Sequence, residues 1–181
     1  MYSLFLNFVV FVSKLTSKIY VPFPRRKIKA VHYLLAKHNL RPGDIILTKT
    51  NGYLSNLFIG KWTHAGIYSG YDSVVEATTE GGVGEKHLID FLLTKDKIKI
   101  IRPVNLTDQF IRLAIRRAKS HIGKPYDFKF QPSTNAFYCS ELLLYALQID
   151  TLKTVNRYGT ETFIPDDFLK YSKEFGEVYE A

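Results

Sequence analysis

The chain of 181 residues has one cysteine, Cys139. A sole thiol rules out an internal disulfide framework and a Cys-rich zinc site, so it is structural, idle or reactive. It lies in Phe137-Tyr-Cys-Ser-Glu-Leu142, the start of an apolar stretch carrying Leu142, Leu143 and Ala146. That pattern predicts a helix over 137–148, with Ser133, Thr134 and Asn135 as N-cap candidates. Cys139 then sits in the first turn, where free backbone N–H groups and the helix dipole stabilise a thiolate. By residue type and position alone, inert core packing is the commoner role for such a cysteine. Nucleophilic chemistry needs more: a histidine to take the proton and a third polar group to fix the imidazole.

Five histidines compete for the part: His32, His38, His64, His87 and His121. His32 and His38 sit in a basic N-terminal segment, and His121 lies at a helix end beside Gly123, where exposure or capping is its expected role. His64 opens a β-rich run, His64-Ala-Gly-Ile-Tyr-Ser69. A hairpin signal at Gly70-Tyr-Asp72 joins it to Ser73-Val-Val-Glu-Ala-Thr78. Glu76 is the only carboxylate in that second, otherwise apolar run. If the two runs pair, His64 and Glu76 stand close at one end of the sheet, where a buried carboxylate requires a partner. A purely structural His–Glu pair satisfies the same pattern.

The elements that must position these groups read as one α+β domain with an antiparallel sheet. Asp44–Thr48 and Lys97–Arg102 have strand character, and residues 53–59 read as a short helix. Gly81-Gly-Val-Gly84 reads as a mobile loop beside the site, leading into a short helix near Leu88–Leu93. Thr107-Asp108 opens an amphipathic helix that ends near Gly123. Pro165-Asp-Asp-Phe168 begins a last short one, with proline and acidic groups in its first turn.

Charge divides the chain differently. The total is 25 Lys and Arg against 17 Asp and Glu. Residues 1–43 hold eight of the cations and no carboxylate, which leaves 17 of each sign in residues 44–181. We therefore divide the chain into a helical apolar and basic segment, residues 1–41, and a domain, residues 42–181. Met1–Val12 is too short to span a bilayer and lacks the charged start and small-residue cleavage site of a secretory leader. Its wheel places Ser3, Asn7, Lys14 and Lys18 on one face with apolar groups on the rest. Such a helix lies in a lipid interface or packs on its own domain, and Val21-Pro-Phe-Pro24 breaks it. A second amphipathic helix follows, with Ile28, Val31, Leu34 and Leu35 on one side and its end near Asn39. A cytoplasmic or membrane-associated place is favoured over a secreted one. A cationic appendage on a neutral body fits a membrane surface, through residues 1–29, better than nucleic acid, which calls for a basic stripe over the folded face.

Gly123-Lys-Pro-Tyr126 followed by Tyr138-Cys-Ser-Glu-Leu142 resembles the nucleophile segment of NlpC-type papain-like amidases. His64-Ala-Gly-Ile-Tyr68 with Glu76, twelve positions after His64, is similar to the strand that carries that superfamily's histidine and third polar residue. Here the histidine precedes the cysteine by 75 positions. That order resembles the circularly permuted branch of YiiX and YebB type, related to lecithin retinol acyltransferases. Gly43-Asp-Ile-Ile-Leu47 and Pro165-Asp-Asp-Phe168 also resemble that branch, so four elements occur in one order over about residues 42–170. The resemblance implies a circularly permuted papain-like fold with the nucleophile at a helix N-terminus. It further implies Cys139 as nucleophile, His64 as general base and acid, Glu76 as orienter, and Tyr126 near the developing oxyanion with the Cys139 N–H.

Tyr138 reads as site wall or core, and Trp62 as an acyl-site lining or a buried core aromatic. Glu141 reads as a first-turn carboxylate that supports the helix. No Walker-type or His-Glu-x-x-His sequence occurs, so neither metal nor nucleotide is implied. The expected function is a thiol hydrolase acting on an amide or ester, with a cell-wall peptide, a small amide or a lipid-linked group as substrate. The alternatives are a thiol acyltransferase and a non-catalytic, membrane-tethered binding module on the same fold.

Overall fold

A computed structural model describes residues 15, 27–51, 60–130, 135–157 and 159–181. The expected helices at the extreme N-terminus and at 53–59 fall outside the described residues. Helix α1 (Ala30–Asn39) leads into strand β1 (Ile45–Lys49), the hairpin β2 (His64–Gly70) and β3 (Ser73–Thr78), and a further strand β4 (Gly82–His87). Then come the short helix α2 (Leu88–Leu92), β5 (Lys97–Pro103), α3 (Asp108–Ser120) and α4 (Cys139–Leu147). A small hairpin, β6 (Val155–Arg157) and β7 (Thr160–Thr162), a 3-10 turn at Pro165–Lys170 and β8 (Phe175–Glu180) complete the order. Six strands form one sheet in the order β4-β3-β2-β1-β5-β8, and every neighbouring pair is antiparallel.

Both faces of this sheet are covered, which is why Ile45-Ile46-Leu47 and Ile100-Ile101 are apolar at successive positions, while Lys99 between Ile98 and Ile100 is buried against Glu177 and Glu180 of β8. On one face Ile45, Leu47, Ala65, Ile67, Val75 and Ala77 pack with Ala114 and Ala118 of α3 and Leu142, Leu143 and Ala146 of α4. On the other, Ile46, Val74, Ile98 and Ile100 pack with Ala36 of α1 and Leu88, Phe91 and Leu92 of α2. Helix α3 starts as its sequence predicts, with the Thr107 hydroxyl accepting from the Phe110 N–H at 3.2 Å.

Two aspartates, Asp44 buried and Asp166 half-buried, fix the frame around β1 and β2. Asp44 takes a bidentate Arg102 fork at 2.8 and 2.7 Å and the Arg41 N–H at 2.7 Å. From the late 3-10 turn, Asp166 accepts the backbone N–H groups of Lys61 and Trp62, each at 2.7 Å, two and three residues before His64.

Three elements differ from the sequence reading. Gly81–Gly84 is not a mobile loop: it is a turn followed by β4, paired to β3 in the register Thr78↔Gly82 and Glu76↔Gly84. Glycine disguises the strand because the backbone is crowded there. A Cβ at Gly82, at φ +66°, would lie 2.2 Å from the Lys124 carbonyl oxygen. Helix α4 begins at Cys139, with Tyr138 rather than Ser133, Thr134 or Asn135 at the cap. Strand β8, unmarked in the sequence reading, closes the far edge against β5.

Candidate active site

Strands β2 and β3 pair with Gly66 opposite Glu76, so His64 and Glu76 are diagonal neighbours on one face of the sheet. Gly66 between them leaves room for Phe91. A Cβ there would meet Val74 at 2.6 Å and the Phe91 ring at 3.1 Å, and the Phe91 ring centroid stands 5.7 Å from that of His64. The His64 Nε2 meets Glu76 Oε2 at 2.5 Å, which leaves Nδ1 to serve the sulfur. Glu76 is 3% exposed, and its second oxygen faces Lys86 Nζ at 2.9 Å. Lys86 comes from β4, the strand hidden in the glycine-rich segment. Nothing local marks it as a partner of Glu76, because only the β3–β4 register brings the two together.

Helix α4 packs on the opposite face, and its first residue, Cys139, reaches round the start of β2. The imidazole of His64 is bonded to Glu76, and Cys139 acts together with Glu76 to raise its affinity for the proton. The ladder between β2 and β3 stops at Gly66, one residue short of Ala65, and the N–H groups of Ala65 and Ser140 lower the proton affinity of the sulfur. The helix start is held by three bonds. Ser140 Oγ donates to the Phe163 carbonyl at 2.5 Å, Phe163 N–H donates to the Tyr138 hydroxyl at 3.0 Å, and Glu141 accepts the Tyr138 N–H at 3.3 Å. Glu141 therefore supports the helix start, as its position suggested.

These contacts decide the protonation states. Burial pushes the Cys139 thiol up, but the hydrogen bond and charge of His64 with the two backbone N–H groups outweigh it and bring it below its ordinary value. Burial likewise disfavours imidazolium at His64, yet the bonds to Cys139 and Glu76 hold it at about 9. For Glu76 burial is outweighed by His64 and Lys86, which keep the carboxyl at about 2. The contacts favour a thiolate beside an imidazolium and a carboxylate, an ordering able to form and break an acyl bond to sulfur.

The remaining candidates separate. Tyr126 is half-buried against Phe128 at 4.9 Å between ring centroids. The charge of Cys139 acts on its phenol, which burial holds well above its ordinary value. Tyr138 is buried, with its hydroxyl committed to Phe163, so it forms core behind the helix start. Trp62 is fully buried in the main core, the second of the two roles open to it. His121 is the C-cap of α3, its backbone N–H donating to the Ala118 carbonyl at 3.2 Å, while its ring is turned inward. Its imidazole packs between Phe137 at 4.6 Å and Tyr145 at 4.7 Å, and burial lowers its pKa. A cleft of about 500 Å³ opens on Glu76, lined also by Thr78, Glu80, Gly82, Gly84 and Lys86.

Residues 39–178 match the family described as permuted papain-like amidase enzymes, YaeF/YiiX, C92 family. The crystal structure of the metalloprotein yiiX from Escherichia coli O157:H7 superposes with a TM-score of 0.65 at 22% identity, covering 79% of this chain and 98% of that one. No curated protein matches the chain. The fold is therefore the circularly permuted papain-like one, an α+β architecture with helices on an antiparallel sheet.

Proposed function

The chain belongs to the C92 family of permuted papain-like amidases, and from that premise we propose that it cleaves an amide or ester through an acyl-enzyme on Cys139. The observation that carries this reading is the single imidazole of His64, bonded to Glu76 at 2.5 Å and coupled to Cys139, each shifting the other's proton affinity. The thiolate attacks the acyl carbon, the Cys139 N–H and the Tyr126 hydroxyl receive the oxyanion, and His64 protonates the departing amine or alcohol. Water then attacks the thioester while His64 takes its proton, and Glu76 keeps the ring oriented throughout. The substrate is a small amide or peptide, with a lipid-linked acyl group as the finer possibility that the N-terminal charge supports. The bacterial relative is called a metalloprotein. In this chain no group of three His, Cys, Asp or Glu side chains among the described residues is placed to hold a metal ion, and the steps above use the chain's own side chains.

The test is the pH dependence of iodoacetamide labelling. Cys139 is expected to react well below the ordinary thiol value of about 8.5, and His64→Ala to return the profile to about 8.5. The alkaline end has its own sign: the imidazolium persists until pH rises through about 9, so catalysis that needs His64 as an acid declines there. Labelling that begins only near 8.5 in the wild type and ignores His64→Ala supports the binding-module alternative.

A second reading concerns location. Val31, Leu34 and Leu35 on α1 are 53%, 62% and 45% exposed, in a segment whose eight cations have no acidic neighbour in sequence up to residue 43. Exposed apolar side chains in a segment of basic sequence fit an anionic bilayer surface. The full chain is expected to co-sediment with vesicles containing phosphatidylserine, less so as salt rises. Changing Val31, Leu34 and Leu35 to serine is expected to weaken this. Equal partition of the variant would remove the reading.

A further inference from the structure

Next to the candidate site lies a lysine that the proposed chemistry does not use. Lys95 is in the short connection between α2 and β5, and both its backbone groups are fixed. Its N–H donates to Leu92 and its carbonyl accepts from Ile28, each at 2.9 Å. The half-buried side chain places its ammonium over the Phe91 ring, 5.7 Å from the centroid, and that ring is the one packed on His64. Through Phe91 it stands one ring away from His64, and the charges of Glu76, Lys86, Cys139 and Glu80 all act on it.

The ammonium has no ion-pair partner. Glu76 is taken by His64 and Lys86, and no other Asp or Glu among the described residues pairs with Lys95. The undescribed residues contain neither Asp nor Glu. A half-buried cation without a counter-charge is costly, and burial accordingly lowers its affinity for the proton. The contact with Phe91 offsets only part of that cost. A lysine kept in this state fits an anion that arrives with the substrate.

We propose that Lys95 is a specificity-determining residue, selecting substrates that carry a carboxylate or similar anionic group close to the scissile bond. The proposal rests on Cys139 being the nucleophile. Glu80, at the rim of the neighbouring cleft, opposes the effect from farther out, and the net preference is that of the nearer, less hydrated ammonium.

Iodoacetate and iodoacetamide provide a matched pair of probes, since they alkylate the same thiolate and differ in charge. Their rate ratio at pH 7 cancels any change in the thiolate fraction. Lys95→Met is expected to lower the iodoacetate-to-iodoacetamide ratio about three- to tenfold, the effect of one charge several ångströms away at intermediate dielectric. Lys95→Gln should do the same and Lys95→Arg should keep the wild-type ratio, while the iodoacetamide rate stays within about twofold in all three. An unchanged ratio in both Lys95→Met and Lys95→Gln, with labelling still efficient at pH 7, overturns the role of Lys95 and leaves the Cys139 reading standing. Failure of both reagents to label the wild type below about pH 8.5 overturns the nucleophile reading and this one with it.

Discussion

Replacing Cys139 by alanine is expected to reduce turnover of any amide or ester substrate by about a thousandfold or more, to the level the remaining binding groups support. The sulfur is the one atom for which the structure supplies an imidazole and two backbone N–H groups at once, and no other side chain on α4 is placed to replace it. The fold should survive. Cys139 is a small residue at the first position of a helix whose start is held by Ser140, Tyr138 and Glu141. Loss of one sulfur costs about 1 kcal/mol. Activity in a purified sample together with the melting temperature checks the result: turnover near wild type in Cys139→Ala sinks the acyl-enzyme, whereas loss of activity with a collapsed melting temperature calls for Cys139→Ser.

Glu76→Gln has the second largest expected effect. The carboxylate is held at about 2 and helps to keep His64 at about 9. Removing its charge withdraws the stabilisation of the imidazolium, so the His64 pKa falls and the alkaline limb of kcat/KM moves to lower pH. Loss of the oriented tautomer is expected to lower kcat by about 10²- to 10⁴-fold. The direction follows from linkage. A group whose folded pKa is raised gives stability that is complete below about 6.5 and is lost as pH rises through about 9. In Glu76→Gln that upper limit comes down. A variant with wild-type kcat and an unmoved alkaline limb would assign Glu76 to a structural ion pair with Lys86 alone.

The parts of this site that could be read from the sequence are those built locally. Twelve residues separate His64 from Glu76, and a period-two pattern broken at Gly70-Tyr-Asp72 is enough to place them on adjoining strands. Cys139 at the head of an apolar helix is equally local. What escaped reading depends on distant backbone. Strand β4 exists because Glu76 and Thr78 face glycines and because Lys124 crowds Gly82, and glycine carries no strand signal of its own. Lys86 and Lys95 acquire meaning only once β4 and the α2–β5 connection are folded beside Glu76. His121 looked like a surface group because its aromatic neighbours, Phe137 and Tyr145, come from 16 and 24 residues further on. Strand β8 carries no period-two signal either, because Phe175-Gly-Glu-Val-Tyr-Glu180 mixes apolar and charged residues on both faces, and only its pairing with β5 defines it.

The clamp between Asp166 and the amides of Lys61 and Trp62 bears on when the thiol becomes reactive. The His64–Glu76 hairpin is a short-range structure that can form early, but the start of β2 is fastened only when a segment a hundred residues later has docked. Until then Cys139 is expected to be close to a plain thiol, slower toward electrophiles and oxidants, since the largest contribution to its acidity comes from His64 on another element. The nascent or partly unfolded chain is therefore chemically quiet, and the reactive thiolate appears together with completion of the fold.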